Sequence, residues 1–388
     1  MADVARPASV EELARLLADC SASGRCVRVA DGAHSDDDRL HVSLARITGV
    51  TEYEPDDLTI GARAGTPLGE LDAEVARHAQ RLPLDPPARD GTTLGAVLAR
   101  GVSGPLAASL GPLRRQVLGL ELVTGDGRVL RAGGRVVKNV AGYDLVRLMV
   151  GARGAFGIIT AAHLRLAPRP EHSALRMIDG EPADLARLAR EVERLSVEPA
   201  SLELIGPPWR LVACYEGSRS RVDAGARAFD DAASGSIEAD DRTNADHADD
   251  ATDANHAGDP TSAHLDGHRR PIASPEAGAA IRVRMNAPPA ALPLLMEAAA
   301  DLADAGASVA AHATRGEVRA WWVHEQDVVI AVEQAAAALP PAATLRIERG
   351  PPALRERVHA PPVEPAVRDL IDGLRRVFDP AGILPESV

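Results

Sequence analysis

Two rhythms of hydrophobic and polar positions alternate along the chain. Ser9 followed by Glu12 reads as a capping box, and Leu13, Leu16 and Leu17 recur behind it with helical spacing. "RCVRVA" (25–30) then alternates with a period of two, as a half-buried strand does, and runs into the loop "DGAHSDDD". "LTIGAR" (58–63) reads as a second strand. Thr66 and Pro67 mark the N-cap and first-turn proline of the helix "LGELDAEVARHAQ". "QVLGLELVTGDGRVLRAGG" (116–134) reads as a hairpin turning at Gly125–Gly127. Up to Pro170, strands interleave with short helices, which is an α+β pattern.

Beyond Pro170 a helix over 182–195 leads to strand-like "SLELI" and "RLVACYE". The strands "AIRVRMNAP", "ASVAAHA", "GEVRAWWV" and "ATLRIERG", with a helix over 289–305, suggest a smaller antiparallel sheet with helices on one face. Trp321 and Trp322 fall on opposite faces of their strand, one toward the core and the other toward a cavity or partner. "VRDLIDGLRRVFDPAGILPE" reads as an amphipathic helix closed by an Asp-Pro turn. Between the two groups, residues 218–277 lose periodicity. They carry thirteen acidic residues against six arginines, seven of the chain's net charge of -13. Such a stretch buries too little to offset its ordering entropy, so the reading is a disordered acidic insertion. Its four histidines (His247, His256, His264, His268) are irregularly spaced, as in a solvated linker rather than a metal site. The expected architecture is α+β, with a first domain at 1–170 and a smaller cap domain at 171–388 that carries the insertion.

Composition narrows the field. Hydrophobic residues make up 45% but aromatics only 2%, so the cores must be built from small side chains. The acidic balance argues against nucleic acid or an anionic membrane as main partner. Cys20, Cys26 and Cys214 show no CxxC spacing, which supplies neither a disulfide framework nor zinc or iron–sulfur ligands. The N-terminal "MADVARPASVEELARLL" lacks the apolar centre of a secretory signal, and no apolar run reaches the roughly 20 residues of a membrane span. The expectation is a soluble protein of a reducing cytoplasm.

Glycine concentrates in four places: "DGAHS" (31–35), "GTTLGAVLARGVSGP" (91–105), "LGPLRRQVLG" (110–119) and "GARGAFGIIT" (151–160). Glycine lets main chain approach a ligand and form N–H nests for anions. Four such loops within one α+β region suggest a long ligand such as a dinucleotide, against the alternative of turns and tight packing. Neither G-x-G-x-x-G after the first strand nor G-x-x-x-x-G-K-[ST] occurs, so the Rossmann and P-loop sites are unsupported.

These residues carry a resemblance. "LGAVLARGVSGP", "LGPLRRQVLGLELVTGDGRVLRAGGRVVKNVAGYDLVRLMVGARGAFGIITAAHLRLAP" and "FDPAGIL" resemble the E-subunit family of bacterial glycolate oxidases. That family lies within the FAD-binding superfamily of the vanillyl-alcohol oxidase and p-cresol methylhydroxylase type. The resemblance implies a two-lobed FAD-binding domain of the p-cresol methylhydroxylase type with noncovalent FAD. It implies a diphosphate loop at Asp31, Gly32, Ala33, His34 and Ser35, and further cofactor contacts at Leu94, Gly95, Ser103, Gly104 and Pro105. Gly151, Gly157, Ile158 and Ile159 lie where the last strand passes the cofactor. The first loop departs from the usual triple glycine, with Asp31 beside Gly32, and Arg115 replaces an acidic residue. His34 stands near the position at which some members attach FAD covalently.

The activity implied is oxidation of glycolate to glyoxylate by hydride transfer to flavin, within a complex that also holds a catalytic flavoprotein subunit and an iron–sulfur subunit. Its location would be cytoplasmic, or peripheral to the inner membrane through that complex. A non-catalytic flavin-fold scaffold and a stand-alone FAD-dependent 2-hydroxy-acid dehydrogenase are the alternatives. Oxidation of a 2-hydroxy acid requires a base for the hydroxyl proton and an arginine for the carboxylate. His312, His324 and His359 form no paired motif. His312 in "AAHATRGEV" is the candidate base, weighed against a surface or packing role. Arg114 and Lys138 are weighed as charge-neutralising groups against solvent-facing ion pairs.

Overall fold

The computed structural model describes residues 4–29, 39–86, 91–134, 144–236, 279–324, 328–358 and 364–385. The chain divides into two units. Residues 1–104, 111–169 and 363–388 form the first, and residues 105–110 and 170–362 the second.

The first unit holds an antiparallel sheet of five strands, β1 (Val50–Glu54), β2 (Thr59–Arg63), β3 (Val117–Val123), β4 (Val129–Gly133) and β5 (Ile158–Arg165), in the order β1-β2-β5-β3-β4. The expected hairpin is the β3–β4 pair. A small parallel sheet of Val4–Ala5, Leu40–Val42 and Val27–Val29 lies in the same unit. Helix α1 (Val10–Ser23) starts with half of the expected capping box: the Ser9 hydroxyl accepts from Glu12 N, while the Glu12 carboxylate accepts from Ala8 N at 2.8 Å, one residue before the cap. Helix α2 (Leu68–Ala76) begins after Pro67, one residue later than the Thr66 cap expected. The Thr66 hydroxyl instead donates to Arg63 O at 2.7 Å and accepts from Gly49 N at 2.9 Å, tying the helix entry to β2. A short helix, α3 (Leu94–Arg100), follows, capped by the Thr93 hydroxyl.

The second unit is a seven-stranded antiparallel sheet of β6 (His172–Asp179), β7 (Ser201–Gly206), β8 (Arg210–Gly217), β9 (Ile281–Asn286), β10 (Ser308–His312), β11 (Glu317–Trp322) and β12 (Thr344–Arg349). Its order is β6-β8-β7-β10-β11-β9-β12. Helices α4 (Pro182–Val192), α5 (Arg219–Ser236), α6 (Leu292–Asp304) and α7 (Val329–Ala338) bury their apolar sides with one face of this sheet. Strand alternation decides which face. Ile281, Val283 and Met285 of β9 and Val318, Ala320 and Trp322 of β11 belong to that core, while the residues between them point the other way.

Two expectations are corrected. The predicted disordered segment 218–277 opens with α5, whose Val222, Ala226, Phe229 and Ala233 are buried at helical spacing, all but Ala226 within the core of the sheet. A stripe of three small residues and one phenylalanine sufficed, although the surrounding Asp and Ser hid it. The rest of that segment lies outside the described residues. The cap domain was also drawn to residue 388, but the helix α8 (Pro365–Phe378) belongs to the first unit. Phe378 stacks near Phe156 with ring centroids 6.2 Å apart, and Phe378 O accepts from Gly125 N at 2.8 Å. Asp379, buried, accepts from Ile383 N at 3.0 Å and Leu384 N at 2.9 Å, and both apolar side chains pack with α1. The first unit's core is incomplete without these groups, so the tail returns to it.

Candidate functional site

Asp31, Gly32, Ala33, His34 and Ser35 lie outside the described residues, as do Lys138 and His359. The strands flanking the first loop, Val27–Val29 and Leu40–Val42, are parallel neighbours. That loop therefore leaves the carboxyl end of a parallel strand, the edge at which open sheets receive ligands.

The other predicted contacts gather around α3. Leu94 is fully buried at its start, and Gly95 N donates to Ala64 O at 2.7 Å. At its end, a Cβ on Gly101 would lie 2.6 Å from Gly151 Cα, so two backbones touch. Gly151 N donates to Leu98 O at 2.9 Å, and Arg114 Nε donates to Val150 O at 3.1 Å, which makes Arg114 a brace for this turn. A Cβ on Gly104 would meet Asp85 O at 2.0 Å. Ser103 and Gly104 fall in the first unit and Pro105 in the second. Ile158 and Ile159 enter two separate cores from opposite faces of β5. The glycines expected to admit a ligand thus do their steric work at Gly95, Gly101, Gly104 and Gly157 against the protein's own chain. The turn 151–157 is different at its tip. Gly151, Arg153, Gly154 and Gly157 all have positive φ, and a Cβ on Gly154 would find only Pro385 Cγ at 3.7 Å and Gly157 O at 4.0 Å. Main chain is presented there. A backbone-lined turn of this kind suits a ligand held through N–H groups, as a diphosphate is.

The second unit carries a feature that the sequence reading missed. On the sheet face turned away from the helices, Glu203, His312, Glu317 and Asn286 stand opposite one another in β7, β10, β11 and β9. The next row on that face holds Ile205, Ala310, Arg319 and Arg284, and the one after it Ser308, Trp321 and Arg282. His312 is 4% exposed and Glu203 2%, so His312 is not a surface group. His312 Nδ1 approaches Glu203 Oε1 to 2.6 Å, and its Nε2 lies 3.9 Å from Glu317 Oε1. Glu317 is held by Arg319 at 2.6 Å and Arg315 at 3.3 Å, while Arg284 faces Glu348 at 3.2 Å. Burial pushes the Glu317 carboxyl up, but Arg319, His312, Arg315 and Arg284 outweigh it and hold the group below the usual carboxylate range.

Arg282, Arg284, Arg315 and Arg319 outnumber Glu203, Glu317 and Glu348 before His312 is counted. Arg282 Nε, Arg315 Nη1 and Trp321 Nε1 are buried without a hydrogen-bond acceptor among the described residues. A surplus of cationic donors beside a histidine is chemistry for a carboxylate bearing a dissociable proton. Trp322 lies in the core as one of the two tryptophans should, and Trp321 is buried on the charged face. His324 is exposed. The available signal was charge at every second position in several apolar strands, "LEL", "IRVRM" and "EVRAW", which cannot all be solvent edges of one sheet.

Residues 1–133 match the protein family described as "FAD binding domain". Over 126 residues the chain is 44% identical to glycolate oxidase subunit GlcE of Escherichia coli (strain K12), covering 32% of this chain and 36% of that protein. It is 29% identical over 217 residues to glycolate oxidase subunit GlcD of Bacillus subtilis (strain 168), covering 54% and 46%. Similarity to D-lactate dehydrogenase of Archaeoglobus fulgidus is 31% over 173 residues, covering 43% and 39%. The chain thus spans less than half the length of these relatives. Its fold matches a solved alkyldihydroxyacetonephosphate synthase with a TM-score of 0.66 at 15% identity, over 98% of this chain and 76% of that one. The α+β FAD-binding fold expected from the sequence is therefore present. Among the described residues no helix is long and apolar enough to cross a membrane.

Proposed function

We propose that this chain is the FAD-binding subunit of an oxidase that converts glycolate to glyoxylate, working with a second flavoprotein subunit and an iron–sulfur subunit. The buried Glu203–His312–Glu317 row beside Arg319 and Arg284 carries this reading. Two-electron oxidation of a 2-hydroxy acid needs an electron acceptor, a group for the hydroxyl proton and a cation for the carboxylate. When bound, FAD supplies the acceptor. His312 takes the hydroxyl proton, and the arginines one row along, about 7 Å away at two strand residues, hold the carboxylate. On this reading Asp31 to Ser35 are the diphosphate contacts and the main chain at Gly151 a further cofactor contact, while Leu94–Gly95, Ser103–Pro105 and Gly157–Ile159 contribute by holding the backbone around them. Similarity to two proteins named as glycolate oxidase subunits supports the multisubunit setting. Three cysteines without CxxC spacing leave onward electron transfer to a partner.

A second reading, a stand-alone 2-hydroxy-acid dehydrogenase, is favoured by one observation: base and arginines come from a single chain. The purified chain should show a flavin spectrum and release FAD into the supernatant on acid precipitation. Glycolate-dependent dye reduction should appear once the partner subunits are added, and His312→Gln should lower it on the order of 10²–10⁴-fold. A colourless chain without saturable FAD binding overturns the proposal. Turnover by the chain alone selects the second reading.

A further inference from the structure

The two nitrogens of His312 face unequal carboxylates. Nδ1 meets Glu203 Oε1 at 2.6 Å, a close ion-pair contact whose two atoms are not aligned as a hydrogen bond. Nε2 stands 3.9 Å from Glu317 Oε1, beyond hydrogen-bond reach. Glu317 cannot swing inward without breaking its contacts with Arg319 and Arg315. Among the described residues no guanidinium ties Glu203 in this way, and Leu202 and Leu204 on either side of it lock β7 into the core. Among the described residues, the charged groups around His312 and Glu317 are Glu203 on β7, Arg319 on β11, Arg315 in the preceding turn and Arg284 on β9.

An ionised carboxylate only accepts hydrogen bonds, so the nitrogen beside Glu203 must carry the proton. In a neutral imidazole the other nitrogen then bears the lone pair. We propose that Glu203 is a positioning residue that fixes His312 as its Nδ1–H tautomer and so presents Nε2 as the proton acceptor. This rests on the reading of His312 as the base. Glu317, clamped by two arginines, serves a different purpose: it keeps Arg319 fixed while leaving Nε2 unclaimed.

Histidine-selective ¹⁵N labelling of the full chain reads the tautomer, with His312→Gln assigning the signal. The expected result at neutral pH is a protonated Nδ1 and an unprotonated Nε2. Glu203→Leu should move the proton to Nε2 or to a mixture. Glu203→Gln, whose amide oxygen still accepts, should keep it on Nδ1. In the assembled complex, kcat should fall on the order of 10²-fold in Glu203→Leu with KM little changed, and recover largely in Glu203→Gln. Wild-type His312 protonated on Nε2, or on both nitrogens, overturns the proposal, as does a Glu203→Leu chain that retains Nδ1–H. If Glu203→Leu does not fold, the wild-type spectrum decides alone. Failure of the underlying reading looks different: His312→Gln would keep turnover while the Nδ1–H signal persists in the wild type.

Discussion

Glu317 shows how a single buried charge is made tolerable. Its carboxylate is removed from water, and only the cations around it keep it ionised. A carboxylate whose folded pKa lies below its unfolded one adds stability above the unfolded value, and that stability is lost as pH falls through the folded value. Acid should therefore weaken the second unit progressively below about pH 5. Urea midpoints measured across that range should decline in the wild type, and Glu317→Gln should lack this share of the decline. At neutral pH the same substitution leaves Arg319 and Arg315 facing an uncharged amide, and should cost about 3–5 kcal/mol in urea unfolding. At the same scale, burial pushes the Tyr215 hydroxyl up to about 12. Burial also raises the Tyr53 hydroxyl, so absorbance titration should show both tyrosines ionising later than an exposed phenol, with Tyr215→Phe removing one of the late steps.

Among the elements, α5 and the tail after α8 are the instructive cases. Phe229 is 2% exposed and anchors α5 on the sheet, so Phe229→Ala should cost about 3–5 kcal/mol. A deletion that removes 219–236 should lower the melting temperature, whereas one confined to 240–275 should leave it nearly unchanged; differential scanning calorimetry separates the two. Asp379 caps two main-chain donors from a buried position, and Asp379→Ala should cost about 1–3 kcal/mol for each donor left unpaired, with faster amide exchange at Ile383 and Leu384. Most elements were legible because their periods were clean: α1 from Ser9 and Glu12, the β3–β4 hairpin from its glycine turn, and β7 to β11 from alternation. Helix α5 was not, because alanine is apolar enough to pack yet common enough in linkers to pass as one. The charged row was illegible for a different reason. Glu203 and His312 are 109 positions apart in sequence, and only the order β7-β10-β11-β9 makes them neighbours. Glycine density was expected to serve main-chain approach to a ligand, but at α3 what approaches is the chain itself.

At the scale of the whole molecule, the first unit is assembled from three separated stretches, and the second is threaded between them. Ending the chain at residue 362 should strip Phe378, Ile383 and Leu384 from the first unit's core, and with them its flavin content, although every residue matching the FAD binding domain would remain. Absorbance at the flavin bands of the shortened protein checks this. The same arrangement imposes an order on biosynthesis. A ribosome delivers residue 169 well before it delivers the stretch from 363, and at about 5–20 residues per second the delay is on the order of 10–40 s. During that interval the segment 170–362 emerges and can complete the cap. Residues up to 169 are thus made well before the stretch that completes their core, and until it arrives the nascent chain displays Phe156 and the apolar side of α1. Cofactor capture is therefore placed after release of the tail, and overproduction should be limited by the half-finished domain rather than by the cap.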